Sequence, residues 1–163
     1  MLNEELILKM IEFDAGSAGL IQHFIKVYEF AHVIGVKEGI PAETLRILDI
    51  ASILHDIAIK PCMEKFGRGD GKIQEQEGPA YARALLADFP EVTADEVERV
   101  CFLIAHHHTT ENVVDIDHQI LLEADFLVNS FEGKMTEDAI RTFEEKVFQT
   151  STGKWMLETQ FGK

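Results

Sequence analysis

Imidazoles and embedded carboxylates are the side chains of this sequence best suited to chemistry. Seven histidines occur, at His23, His32, His55, His106, His107, His108 and His118. His55 is followed directly by Asp56, late in a segment whose positions 45, 47, 48, 50, 51, 53, 54, 57 and 58 are apolar. Such a segment reads as a helix buried on most sides. A carboxylate buried there costs several kcal/mol or more unless a cation or a metal ion accompanies it, so joint metal ligation by His55 and Asp56 is one reading. The other is a solvated stripe, because Arg46, Asp49, Ser52, Asp56 and Lys60 fall within an arc of roughly 120° at about 100° per residue. Asp125 raises the same question, with Leu121, Leu122 and Val128 on its own face. It is either paired at a helix surface or coordinating.

The remaining histidines can be ranked by face. Val97, Val100, Cys101 and Ile104 define an inward stripe, and extending it places His108 near its centre, His107 on its edge and His106 opposite. The expected order of proximity to a site is therefore His108, His107, His106. Charged imidazoles also suit a helix C-terminus, which accounts for one or two of the three. His23 and His32 are nine residues apart, about half a turn from each other on one helix, so they cannot face one site together. His23 continues the apolar row Val27, Phe30, Ile34, and His32 the row Ile21, Ile25, Tyr28, so periodicity leaves both open. His118, beside Asp115 and Asp117, is expected at the surface.

Helices must position these groups. Asn3 is a candidate cap for a helix over 4–13, and Ser17 for a longer one reaching 35 or 38 before Gly39. A helix over 41–60 is expected to stop at Pro61. A glycine-rich passage, 67–71, precedes a helix over about 77–88. Thr93 and Glu96 form a capping box for a helix running towards His108. Segments 117–131 and 136–148 complete the expected set. Hairpin signals between alternating β-branched runs are lacking, and no repeat or linker divides the chain. The expectation is one all-α domain over 1–163, a compact multi-helix bundle.

Composition limits what the bundle can do. The 163 residues are 46% hydrophobic and 27% charged, enough apolar material for a core. Lys plus Arg number 15 against 29 acids, a formal charge of −14, which argues against stable nucleic-acid binding. A small anion could still bind a locally positive pocket, especially one holding a metal. No apolar run approaches the ~20 residues of a membrane span. Acids at the N-terminus stand where a secretory signal would be basic, so a cytoplasmic protein with free Cys62 and Cys101 is expected. The passage Gly67-Arg68-Gly69-Asp70-Gly71 lacks the Lys-Ser/Thr of a P-loop and follows no strand, so it reads as a surface loop, with a lid role open to it.

His23, then His55-Asp56 32 positions later, then Ala124-Asp125, form an ordered set that resembles the HD-domain superfamily of metal-dependent phosphohydrolases. Ile53-Leu54-His55-Asp56-Ile57 is similar to that family's central motif, with Lys60 close to its frequent lysine. Glu123-Ala124-Asp125-Phe126-Leu127 resembles its last motif, and the stretch 104–109 its intervening histidine-bearing helix; the likeness spans about 20–130. The resemblance implies that His23, His55, Asp56 and Asp125 hold one divalent cation, and it favours His23 over His32. Many members add a histidine just before the fourth helix, but here Gln74-Glu75-Gln76-Glu77-Gly78-Pro79-Ala80 contains none. That departure argues against a second metal, and against dinuclear signalling-nucleotide and di-iron oxygen chemistry.

The expected activity is hydrolysis of a small phosphorylated substrate, in particular a nucleotide phosphomonoester. The ion could be Mn, Fe, Co, Ni, Zn or Mg, which the ligand set does not distinguish. Asp56 would orient or deprotonate water, and Lys60, His108 and His107 would contact phosphate or stabilise transition-state charge. The alternative is a non-catalytic, metal-stabilised module that senses a nucleotide or docks a protein.

Overall fold

The computed structural model describes residues 1–162 and contains nine helices and no strand among them. They are α1 (Leu2–Phe13), α2 (Ala18–Glu38), α3 (Ala42–Leu54), α4 (Ile59–Phe66), α5 (Gly71–Leu86), α6 (Ala94–Ala105), α7 (Ile116–Glu132), α8 (Glu137–Val147) and α9 (Ser151–Phe161). The most extensive packing pairs α5 with α6, and α2 with both α3 and α7, while α3 also lies against α6 and α7. Helix α3 is thereby enclosed, as its apolar circumference requires. Every residue from Leu48 to Ala58 is buried. No helix among the described residues is long and apolar enough to cross a membrane, and Cys62 and Cys101 are buried free thiols.

The expected helix over 41–60 is instead two helices. Helix α3 ends at Leu54, and a tight turn over 55–58 follows, with the Ile57 N–H donating to Leu54 O and the Ile59 N–H to Asp56 O. Pro61 does not stop a helix; it lies in the first turn of α4, where a missing N–H costs no intrahelical bond. On an unbroken helix consecutive side chains diverge by about 100°. His55 and Asp56 nevertheless reach one point, with His55 Nε2 3.3 Å from Asp56 Oδ2.

Three other boundaries differ from expectation. Asn3 lies inside α1, and its amide donates to Tyr28 Oη and Asp49 Oδ2 rather than capping. Helix α5 begins at Gly71, six residues before the expected start at 77, because Asp70 accepts from the Ile73 N–H and Gln74 donates to Gly69 O. The loop before it shrinks to 67–70. Helix α9 was not expected at all; Thr150 caps it, accepting from the Gly153 N–H. By contrast, the Thr93–Glu96 capping box on α6 forms as the sequence indicates.

Close approach of α5 to α6 depends on Gly78. A Cβ there would lie 2.6 Å from the Ile104 methyl carbon, so a larger residue would push α6 and the histidines at its end away.

Candidate metal centre

Helix α2, the end of α3 and helix α7 bring four side chains to one point. The His23 Nε2 lies 3.1 Å from His55 Nε2 and 3.1 Å from Asp125 Oδ1. It is 3.0 Å from Asp56 Oδ2, while His55 Nε2 is 3.3 Å from both Asp56 Oδ2 and Asp125 Oδ1. All four residues are buried. The solvated-stripe reading does not hold, since Asp49, Ser52 and Asp56 are all inside. His32 takes no part; its Nδ1 lies 3.0 Å from both oxygens of Asp49, on another side of α2.

The outer nitrogens fix how these imidazoles present themselves. His23 Nδ1 donates to Glu132 Oε1 at 2.6 Å, and Lys26 pairs with the other oxygen of Glu132. His55 Nδ1 donates to Ser52 O at 2.7 Å. Each ring thus spends its Nδ1 proton on a carboxylate or carbonyl and turns Nε2 inward, the orientation that metal-ligating histidines adopt. Ligands held about 2.1 Å from one cation sit roughly 3.0–3.4 Å apart in octahedral or tetrahedral shells. The spacings of the His23 and His55 Nε2 atoms from each other and from Asp56 and Asp125 fall in that range, so the donor set fits a divalent ion.

Charge in the cluster is strongly coupled. Burial alone would lower the pKa of His23, but its hydrogen bonds to Asp125 and Asp56 prevail and push it up to about 11. His55 is fully buried yet reaches about 9, through the Asp56 charge and the hydrogen bonds from both carboxylates. Conversely, burial works to raise Asp56 and Asp125, and the surrounding imidazoles hold both well below the usual carboxylate range. Two carboxylates packed this closely require positive charge between them.

Asp56 faces two ways. Its Oδ2 belongs to the four-residue cluster, whereas its Oδ1 lies 3.0 Å from His107 Nε2. The His107 Nδ1 donates to Ile104 O, repeating the pattern of His55. Asp56, His107 and His108 form a second group with ligand atoms close enough to share an ion. Gln74 Oε1 stands between these two histidines, 3.2 Å from His107 Nε2 and 2.9 Å from His108 Nε2. The expected ranking changes accordingly. His107 is buried against Asp56, and His108 is exposed at the mouth of the site. Helix α6 ends at Ala105, so a helical wheel cannot be extended through the turn that carries 106–108. His106 points away and stacks on Phe102.

Other side chains hold this turn in place. His118, expected at the surface, is buried and donates through Nε2 to His106 O. Arg99 binds Asp117 with two hydrogen bonds, and Glu75 accepts from the His108 N–H and the Thr109 hydroxyl. Lys60 does not join the ligands: its ammonium donates to Phe13 O and Ala15 O and clasps the loop between α1 and α2. In that loop Asp14 is fully buried, with no hydrogen-bond partner for either carboxylate oxygen.

The HD domain family model matches residues 20–130, which contain all four converging side chains. The chain belongs to the HD domain family. The whole fold is similar to the crystal structure, at 1.45 Å resolution, of a predicted HD superfamily hydrolase from an uncultured Thermotogales bacterium. The two share 26% identity at a TM-score of 0.68, over 97% of this chain and 84% of that one. No curated protein matches the sequence.

Within this HD domain the sequence pattern overlooked Glu132, Gln74 and Asp14. Glu132 lies nine positions beyond Glu123 and seven beyond Asp125, on the same helix, and could have been sought as an acid two turns from a ligand. Gln74 lies in the stretch 74–80, where the sequence signal is only the absence of a histidine. Asp14 carries no periodic signal, because it ends one helix and precedes a turn. A cavity of about 90 Å³ lies beside Asp125, His107 and His108.

Proposed function

We propose that this HD domain hydrolyses small phosphomonoesters, with nucleotides as the expected class, using one divalent ion held by His23, His55, Asp56 and Asp125. The observation that carries the reading is that the two imidazole Nε2 atoms lie 3.0–3.3 Å from each other and from both carboxylates. A divalent ion bound there supplies Lewis acidity for a phosphoryl oxygen and lowers the pKa of water. The protein's own groups do the rest. Asp56, ionised and shared between the cluster and His107, is placed to orient water and accept its proton. His107, its Nε2 against Asp56 Oδ1, keeps that carboxylate in place, and His108 at the mouth of the cavity is placed to meet the phosphoryl oxygens as charge develops. Lys60 supports the site indirectly, through the α1–α2 loop.

The cavity beside the ligands, about 90 Å³, is about three water volumes and suits a phosphoryl group better than a polymer. The net charge of −14 also disfavours polynucleotides. Phosphate release should be measured over a panel of nucleotides and sugar phosphates with Mn²⁺, Co²⁺, Ni²⁺, Zn²⁺, Fe²⁺ or Mg²⁺, with and without EDTA. The reading expects EDTA-sensitive turnover of monoesters. Metal-dependent nucleotide binding without turnover would favour the non-catalytic sensing module instead.

A further inference from the structure

The cavity at the metal ligands has a larger neighbour with which it shares two lining residues, Thr110 and Phe143. The first, about 90 Å³, is bounded by Asp125, His107 and His108 on one side and by Thr110, Asn129 and Phe143 on the other. Thr110 and Phe143 also bound a second cavity of about 600 Å³, which has Lys146 on its rim. The inner space is sized for a phosphoryl group. The outer one lies within the ~300–1,000 Å³ typical of small-ligand pockets.

Phe143 stands at the junction. Its ring lies parallel to that of Phe126, with centroids 3.7 Å apart and planes at 3°. One face of Phe143 is therefore covered by Phe126, while the ring borders both cavities and is only half-buried. A flat aromatic surface held in this way suits a further ring, since stacked rings attract one another whatever their hydrogen-bonding edges. Asn129 lies one turn beyond Asp125 on α7 and lines the inner cavity, where its amide can donate to, or accept from, the group joining the ring to the phosphate.

We infer that Phe143 and Asn129 form a specificity subsite for the group that leaves with the ester oxygen, and that this group carries a planar ring, as in a nucleoside 5′-monophosphate. The inference rests on the phosphomonoesterase reading and adds to it the two residues that select for the ring. The phosphoryl group occupies the inner cavity, and the ring lies against Phe143 at the edge of the outer one. A sugar phosphate without the ring fills only the inner part.

Adenosine 5′-monophosphate and ribose 5-phosphate test the subsite, because both are primary alkyl phosphates and differ by the ring. With Mn²⁺ present, kcat/KM should favour the nucleotide by at least tenfold in the unaltered protein. F143L, which retains apolar bulk but removes the ring, should bring that ratio towards unity through KM, and N129A should reduce it more weakly. F143W should restore the preference. Equal kcat/KM for the two substrates, or an F143L effect that is the same on both, would overturn the subsite and leave the phosphomonoesterase reading standing. Adenosine alone, titrated by NMR, separates the opposite failure. Binding that F143L abolishes, without turnover of either ester, would support the ring subsite and overturn the hydrolase reading. Neither binding nor turnover would overturn both.

Discussion

Glu132 holds His23 from behind: its Oε1 accepts the Nδ1 proton at 2.6 Å, while Nε2 of the same ring lies 3.1 Å from Asp125 Oδ1. The carboxylate both fixes the tautomer and makes the ring a stronger donor to a cation. Lys26 in turn pairs with Glu132, so its charge is balanced at the edge of the site.

Glu132→Gln should therefore weaken metal affinity by ~10–100-fold, the range found for the outer partners of metal-binding histidines. Competitive metal titration against a chromophoric chelator would measure it. Unchanged affinity would show that the ring is held by packing alone.

Metal binding should release protons. The neighbouring carboxylates push His23 and His55 above the ordinary imidazole range, so the metal-free cluster holds extra protons at neutral pH. A cation on the two Nε2 atoms displaces the proton held between them, so at least about one is released. Affinity should consequently rise with pH across the neutral range. Calorimetric titrations in buffers of different ionisation enthalpy give the number directly, and a value near zero would contradict the proposed ligand atoms.

Among the three consecutive histidines, His107→Gln should reduce kcat/KM by more than tenfold, His108→Gln by less, and His106→Gln scarcely at all. The order follows from their positions: His107 lies against Asp56, His108 at the mouth, and His106 stacked on Phe102. Steady-state assays with thermal unfolding as a control would establish it. A larger loss for His106 than for His107 would mean that the turn after α6 is misplaced.

Asp14 predicts a gain in stability. Burial, opposed by Lys60 and reinforced by Asp56, pushes its carboxyl up to about 6 from the ordinary 3.8. The folded protein thus binds this proton more tightly than the unfolded chain, and the group's contribution falls as pH rises from about 4 to 6. Above that window the ionised carboxylate remains a cost. Asp14→Asn should raise unfolding stability at pH 7 by on the order of 1–3 kcal/mol, with the gain shrinking below about pH 4. Urea unfolding in EDTA at the two pH values tests the sign. Destabilisation at pH 7 would reveal a cation that pairs with Asp14.

Much of this was legible in the residues because apolar periodicity is a local property. The enclosure of α3 and the capping box at Thr93 follow from neighbours within two turns, whereas Asp125 has apolar neighbours that leave a surface pair and a buried ligand equally open. What periodicity could not reach was set by distant contacts. His118 is buried because its imidazole donates to His106 O, twelve residues earlier. Helix α9 carries Gly153 and a weak apolar face, and its start is fixed from α7, where buried Glu123 accepts from the Thr150 N–H and hydroxyl. The turn at 55–58 escaped notice because Pro61 looks like a helix stop, although it opens α4. The spacing of Lys60 from Asp56 points to phosphate, while its ammonium donates to two carbonyls of another loop.

Metal content tests the central claim most directly. The protein should be purified without chelator, equilibrated with Mn²⁺, freed of loose ions and subjected to elemental analysis beside His55→Ala and Asp125→Ala. The account predicts about one tightly held ion per chain in the unaltered protein and almost none in either variant, since each removes one of four ligands. Equal metal in all three, or none in the unaltered protein together with no metal-dependent rise in Tm, would contradict it.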